Sequence, residues 1–334
     1  MVRIDVKYEG GIIVEHGSFK VMLDPIRAPS NRIIFISHAH VDHIPNSANN
    51  GCIITSNETA FLARVRGIDL GNTKEGLDGL ELIDSGHILG ARGLLIGGDV
   101  FYTGDIAGRA RGFLPKGKGV KCKVLIVEST YGKEGFIFPP LVKILDEVNR
   151  LIADLFSKGV PVVLMGYPLG KAQILSYLFS NWDPIYVHGS IERMNRAYID
   201  LGVKLPDKFR SYSEAMEKGW LSRKPWVLIA PLYSGRSNFI RRLKKDFGAV
   251  TIAFTGWSII PQYRYAMMVD HAYPLSDHCD LEELIGIVKE CDPEKVYTTH
   301  GFSSELATYL RRLGFDAEPL LNFQRSITDY AKDE

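Results

Sequence analysis

The run His38-Ala39-His40-Val41-Asp42-His43 limits the possible folds of this chain more than any other stretch. It carries three imidazoles and a carboxylate in the spacing H-x-H-x-D-H, side chains that suit zinc and its first-row neighbours. The residues before it, Arg32-Ile33-Ile34-Phe35-Ile36-Ser37, are rich in Ile and Phe and predict a buried strand. A compatible fold must end a core strand in a ligand-rich loop and bring further ligands to the same place. Such a loop can serve two adjacent metal positions, and metal pairs commonly serve phosphate-ester hydrolysis.

The 334 residues are enough for two domains or one large one, and 46% hydrophobic with 24% charged residues is ordinary for a globular chain. A net charge of +1 gives no global attraction to polyanions, so any basic surface must be local. Cys52, Cys122, Cys279 and Cys291 form no C-x-x-C pair and read as small buried hydrophobes or free thiols in a reducing compartment. No apolar run approaches a membrane span, and Met1-Val2-Arg3-Ile4-Asp5 is too polar for a signal peptide. A cytoplasmic location is expected.

Residues 2–24 alternate and carry Gly10-Gly11, then Gly17-Ser18, which predicts a meander of short strands closing at Asp24-Pro25. Strands are expected at 32–37, 52–55, 80–84, 93–97, 99–103 and 124–127, with a helix from about Ser56, capped by Ser56 or Asn57. From about 140 to 260 helices alternate with single strands, the rhythm of a parallel sheet. Helices are expected at 141–157, 171–179, 191–201 and 239–245, and strands at 160–165, 184–187 and 226–230. A strand at 263–269, a helix at 281–290, a strand at 295–299, a helix at 303–313 and a last short strand follow. The fold class is therefore α/β: one domain formed by 1–135 and 262–334, with an α/β domain at 136–261 inserted into it.

Three further strand ends deliver ligand types. They are His87 in Ser85-Gly86-His87-Ile88-Leu89-Gly90, Asp105 in Tyr102-Thr103-Gly104-Asp105, and His300 in Thr298-Thr299-His300-Gly301. Alone, each has a bland reading as a surface histidine or a turn residue. Together with the first loop they point to a metal centre.

This set resembles the metallo-β-lactamase superfamily, whose fold is an αββα sandwich. The resemblance implies that His38, His40 and His87 hold one metal and that Asp42, His43 and His300 hold a second, with Asp105 bridging. It also implies that Asp24 orients the ligand loop, against the alternative of a plain Asp-Pro turn. Two more segments, Val127-Glu128-Ser129-Thr130-Tyr131-Gly132 and Leu275-Ser276-Asp277-His278, look like motifs A and B of the β-CASP nuclease branch, with Thr299-His300-Gly301 as motif C. "GHILGA" and "YTGD" are written as that branch writes them. Within the insertion, Tyr167-Pro168-Leu169-Gly170-Lys171-Ala172-Gln173, Ile185-Tyr186-Val187-His188-Gly189 and Ala253-Phe254-Thr255-Gly256-Trp257 resemble short mRNA 3′-end processing factor-like and DNA-ligase-associated exonuclease proteins.

The resemblance implies a nuclease using two Zn2+, with Mn2+ as a substitute. Asp42 would be part of the catalytic centre, His278 the general acid and Glu128 its orienting partner. The substrate would be single-stranded RNA or DNA: His300 leans towards RNA and the ligase association towards DNA, with DNA ligase or helicase repair proteins as partners. The alternative is a small-molecule metallohydrolase of the same superfamily. Phosphate contacts are expected from Arg109 and Arg111, in a run from Gly108 to Lys123 that lacks acidic residues, and from Gly170-Lys171 at a helix start.

Overall fold

The computed structural model describes residues 3–29, 32–45, 51–206 and 208–320. They form two compact units. One holds the described residues of Met1–Ala110, Leu114–Ile137 and His278–Glu334; the other holds those of Arg111–Phe113 and Phe138–Asp277.

The first unit contains two sheets. One has the order β1 (Ile4–Tyr8), β2 (Ile12–His16), β3 (Phe19–Leu23), β4 (Ile33–Phe35), β5 (Cys52–Ile54) and β6 (Thr73–Lys74), antiparallel up to β3 and parallel after it. The other places β18 (Ala317–Pro319), β17 (Lys295–Thr299), β10 (Val124–Glu128), β9 (Val100–Tyr102), β8 (Arg92–Ile96) and β7 (Leu80–Asp84) side by side. Strand periodicity explains the layers. Ile12, Val14, Val21, Leu23, Phe35 and Ile54 of the first sheet share one core with Leu94, Ile96, Val100, Tyr102, Val124 and Ile126 of the second. The alternate residues face outward and are covered in turn. Ile13, Met22, Ile34 and Ile53 pack with Ala63 of α1 (Asn57–Val65). Phe101, Leu125, Val127 and Val296 pack under α8 (Leu281–Cys291) and α9 (Ser303–Arg312). The result is a helix–sheet–sheet–helix sandwich, and burial on both faces explains why its central strands are continuous apolar runs.

The second unit is a six-stranded, all-parallel sheet ordered β13 (Arg210–Ser211), β12 (Ile185–Val187), β14 (Val227–Pro231), β11 (Val162–Gly166), β15 (Val250–Phe254) and β16 (His271–Tyr273). α2 (Leu141–Ser157), α3 (Lys171–Leu178) and α4 (Gly189–Asp200) contribute to the core on one face. Ala215 of α5 (Tyr212–Glu217), with Ile240 and Leu243 of α6 (Asn238–Phe247), contributes to the core on the other. α2 buries Ile144, Val148 and Ile152 at helical spacing, which is why its limits are the expected ones.

Differences from the sequence expectation concentrate after α6. β15 is an additional central strand, and residues 263–267 form a short helix, α7 (Tyr263–Met267), instead of a strand. The strand follows as β16, paired in parallel with β15, so the second unit extends to Asp277 and does not close at 261. Tyr263, Tyr265 and Val269 give that segment strand-like composition, but sheet pairing decides where the strand forms. No helix among the described residues is long and apolar enough to cross a membrane.

Candidate active site

The site lies wholly in the first unit, in the loops at strand ends. Leu23 pairs with Phe35 in the β3–β4 ladder, and the Asp24 N–H donates to the Phe35 carbonyl at 2.9 Å, so Asp24 leaves β3 beside the start of the ligand loop. β4 then runs into Ser37 and His38, and Val41–His43 closes as one turn of 3-10 helix.

Three imidazole nitrogens converge. His38 Nε2 lies 3.0 Å from His40 Nδ1, and His87 Nε2 lies 3.2 Å from the same atom. Asp105 Oδ2 is 3.5 Å from His38 Nε2 and 3.6 Å from His87 Nε2. All four donors lie within 4.8 Å of one another. Ligands about 2.0–2.1 Å from a tetrahedral zinc stand about 3.3 Å apart, so these spacings match a zinc ligand shell. A second cluster adjoins it. His43 Nε2 is 3.5 Å from Asp105 Oδ2 and 3.7 Å from Asp42 Oδ2, and the His300 ring centroid lies 5.4 Å from that of His43. All seven sequence-derived ligand candidates therefore come together, with Asp105 touching both groups. His300 sits at φ 58, a left-handed conformation costly for a residue with a β-carbon.

The ionisation of these groups reflects their crowding. Burial, with the nearby charges of His43, His87 and His40, pushes His38 well below the ordinary histidine range. Burial and His43 bring His300 down to about 4. Burial raises the Asp105 carboxyl to about 6, with Glu128 adding to the rise and His43 opposing it. For His43, burial acts downward but is outweighed by Asp105, Asp42 and Asp24, which raise it well above the ordinary range. Burial opposes ionisation of Asp42, yet its side chain is 57% exposed, and the charges of His43 and His40 hold its carboxyl down to about 2. The neutral imidazoles of His38 and His300, beside an Asp105 carboxyl that resists ionisation, are groups a divalent cation relieves, because it holds the carboxylate charged and binds free lone pairs.

Asp24 is more than a turn residue. It accepts from the Ser37 N–H at 2.7 Å, the Ser37 hydroxyl at 2.6 Å and the Tyr102 hydroxyl at 2.8 Å, and it lies 2.8 Å from His43 Nδ1. That last contact turns His43 Nε2 towards Asp105 and Asp42. The Ser37 and Tyr102 contributions were not legible in the sequence, where both read as ordinary strand-end residues.

His278 stands beside the cluster. Its Nδ1 is 3.0 Å from each Glu128 oxygen and 3.9 Å from Asp105 Oδ2, and its ring centroid lies 4.5 Å from that of His87. Glu128 is 1% exposed and is held by the Ile106 N–H at 2.7 Å, the Thr130 N–H at 3.3 Å and the Thr130 hydroxyl. Burial would raise its carboxyl, but the His278 charge, its hydrogen bond and these donors leave it below the usual glutamate value.

The expected phosphate contacts require correction. Arg109 donates to Asp280 Oδ2 at 2.7 Å and to Glu283 Oε1 at 2.6 Å. In the second unit, Arg111 and Lys171 reach the same oxygen, Asp277 Oδ1, at 2.6 and 2.8 Å, with Arg111 0% and Lys171 1% exposed. Gly170 caps α3 by donating its N–H to Gln173 Oε1 at 2.8 Å. The cations of this set are committed to protein carboxylates, and the sequence shows the cations without showing their partners. Lys116 and Lys118 of the same run remain exposed. His188 caps α4 through the Ser190 N–H at 3.3 Å.

No protein-family profile matches the chain. It is 33% identical over 302 residues to a protein of Opitutus terrae named a probable DNA ligase, an alignment covering 85% of this chain and 28% of that protein. It is 26% identical over 207 residues to an RNase J-like protein of Methanocaldococcus jannaschii, covering 50% of this chain and 49% of the archaeal protein. It is 32% identical over 124 residues to the endoribonuclease YSH1 of Gibberella zeae, covering 33% of this chain and 15% of the fungal protein. The chain thus spans less than a third of the first relative and about half of the second.

Proposed function

We propose that this chain, which belongs to the β-CASP branch of the metallo-β-lactamase superfamily, is a zinc-dependent nuclease hydrolysing phosphodiester bonds of single-stranded nucleic acid. The observation that carries this reading is the convergence of the His38, His40, His87 and Asp105 donors beside His278, which is paired with the buried Glu128. In this reading the second unit is the inserted β-CASP domain. His38, His40, His87 and Asp105 would hold one zinc ion, and Asp42, His43, His300 and Asp105 a second. When bound, such a pair lowers the pKa of a water towards neutrality and offsets charge on phosphoryl oxygens.

The residues of the chain supply the rest. Asp24 and Ser37 hold the His43 and His38 imidazoles of the ligand loop in fixed orientations. Glu128 anchors His278 through Nδ1 and favours its charged form, so His278 can give a proton to the departing 3′ oxygen. His278 lies outside the seven ligand candidates, so its pairing with Glu128 suits proton transfer better than metal holding and favours a catalytic over a scaffold role. The names of the relatives span DNA ligation and RNA cleavage, so both sugars belong in the test.

The test is metal-dependent cleavage of end-labelled single-stranded RNA and DNA of matched sequence. The Asp42→Ala/His43→Ala double variant controls for contaminating nuclease. Cleavage of either strand that disappears in the control supports the reading. Two bound metals without cleavage of either strand turn it towards a small-molecule hydrolase.

A further inference from the structure

We infer that Arg109 is a positioning residue for His278, locking the loop that carries the proton donor onto the strand end that carries Asp105. The inference rests on the general-acid reading of His278.

His278 lies in an irregular segment between β16 and α8, where nothing in the secondary structure fixes its side chain. What fixes it is a closed ring through Ile106. The Ile106 N–H donates to Glu128 Oε1 at 2.7 Å, and Glu128 Oε1 meets His278 Nδ1 at 3.0 Å. The Cys279 N–H, one residue on, donates back to the Ile106 carbonyl at 2.8 Å. Ile106 directly follows Asp105, so one short stretch of backbone sets both a metal-ligand candidate and the proton donor.

Arg109 closes this ring from outside. Its guanidinium spans Asp280 and Glu283, the two residues that cap α8. Asp280 Oδ1 accepts from the Glu283 N–H at 2.9 Å, and Glu283 Oε2 accepts from the Asp280 N–H at 3.0 Å. Arg109 thus ties the segment after Asp105 to a helix start two residues beyond His278. The Asp280, Glu283 and Arg109 side chains are 3%, 16% and 28% exposed, so both charge-assisted bonds are partly shielded from solvent. The packing is close: a β-carbon on Gly108 would lie 2.6 Å from Glu283 Cβ. The guanidinium fork gives each carboxylate its own N–H, Nη2 to Asp280 and Nε to Glu283, in a fixed geometry that a lysine ammonium lacks.

The test compares Arg109→Met and Arg109→Lys with the wild type on two substrates. One is the oligonucleotide that the wild type cuts. The other is bis(p-nitrophenyl) phosphate, whose leaving group departs without protonation. A proton donor contributes about 10²–10⁴-fold. Its misplacement in Arg109→Met is expected to lower kcat on the oligonucleotide roughly tenfold or more, with KM, zinc content and p-nitrophenyl turnover unchanged. Arg109→Lys recovers part of the loss. Equal loss on both substrates, or a rise in KM alone, overturns the inference; the latter returns Arg109 to phosphate contact. An NMR measurement decides independently of turnover, and so separates failure here from failure of the nuclease reading. The His278 Nδ1 proton, identified by its absence in His278→Ala, is expected to be sharp in the wild type and broadened in Arg109→Met. An unchanged signal overturns the inference.

Discussion

Asp277, Arg111 and Lys171 bring two cations onto one carboxylate oxygen out of water, and the two ion pairs differ in what their removal does. Asp277→Ala removes the carboxylate that both buried cations reach, and breaking a buried pair in this way costs about 3–5 kcal/mol. Lys171→Met should behave in the opposite sense. The lysine stem packs tightly, since a β-carbon on Gly166 would lie 2.4 Å from Lys171 Cγ, so methionine keeps the volume while leaving the Arg111–Asp277 pair balanced. Burial brings the Lys171 ammonium from 10.5 down to about 8, with Asp277 opposing and Arg111 assisting. A folded-state value below the unfolded one means that charging Lys171 costs stability. That cost, about 3 kcal/mol at one pKa unit per 1.36 kcal/mol, is fully present below pH 8. It is relieved as pH rises through the window from 8 to 10.5, where the unfolded chain holds the proton and the folded chain does not. Lys171→Met is therefore expected to equal or exceed the wild type in stability at pH 7, with any advantage shrinking towards pH 10. Urea unfolding read by tryptophan fluorescence isolates this effect, because Trp182, Trp220, Trp226 and Trp257 all lie in the second unit. The reasoning is refuted if Lys171→Met is the more damaging variant at pH 7, or if its difference from the wild type does not change with pH.

Two further outcomes test the site. Asp105→Ala is expected to lose both zinc equivalents in elemental analysis, and retention of two would contradict a bridging role. Gly301→Ala would set a β-carbon 2.4 Å from both Ser129 O and Thr130 Cα at φ 50, backbone atoms that cannot step aside. A stability loss of about 2 kcal/mol or more is expected, with weakened binding of the second zinc as His300 shifts. Wild-type stability together with full zinc binding would show that the segment relaxes freely.

The clustering of the ligand candidates was legible because imidazoles and carboxylates at successive strand ends have few other reasons to recur there. Sandwich strands such as β10 were legible as apolar runs. Glu128 and His278 were recognisable only through family resemblance, since a carboxylate at a strand end and a histidine before a helix each have commoner explanations. Arg109 misled, because its partner Asp280 lies 171 positions away and sequence alone shows a cation without its carboxylate. Ile106 left no trace, because its contribution to the site is made by its peptide group. The segment 263–269 misled through composition, since its aromatic and β-branched residues favour a strand that the sheet accepts only at His271–Tyr273.

Asp105, Glu128 and His300 stand at or just beyond the ends of three adjacent parallel strands, β9, β10 and β17, with Glu128 level with Thr299 in the ladder. Each residue along a strand advances about 3.3 Å, and metal ligands tolerate displacements of only about 0.2 Å. One residue gained or lost within any of these strands would carry its site residue a full step past the cluster and turn it to the opposite face of the sheet. Length variation among descendants of this chain should therefore be barred from these strands and confined to their connections. An entire unit between Ile137 and His278 has been accommodated, where one extra residue before Asp105 would not be.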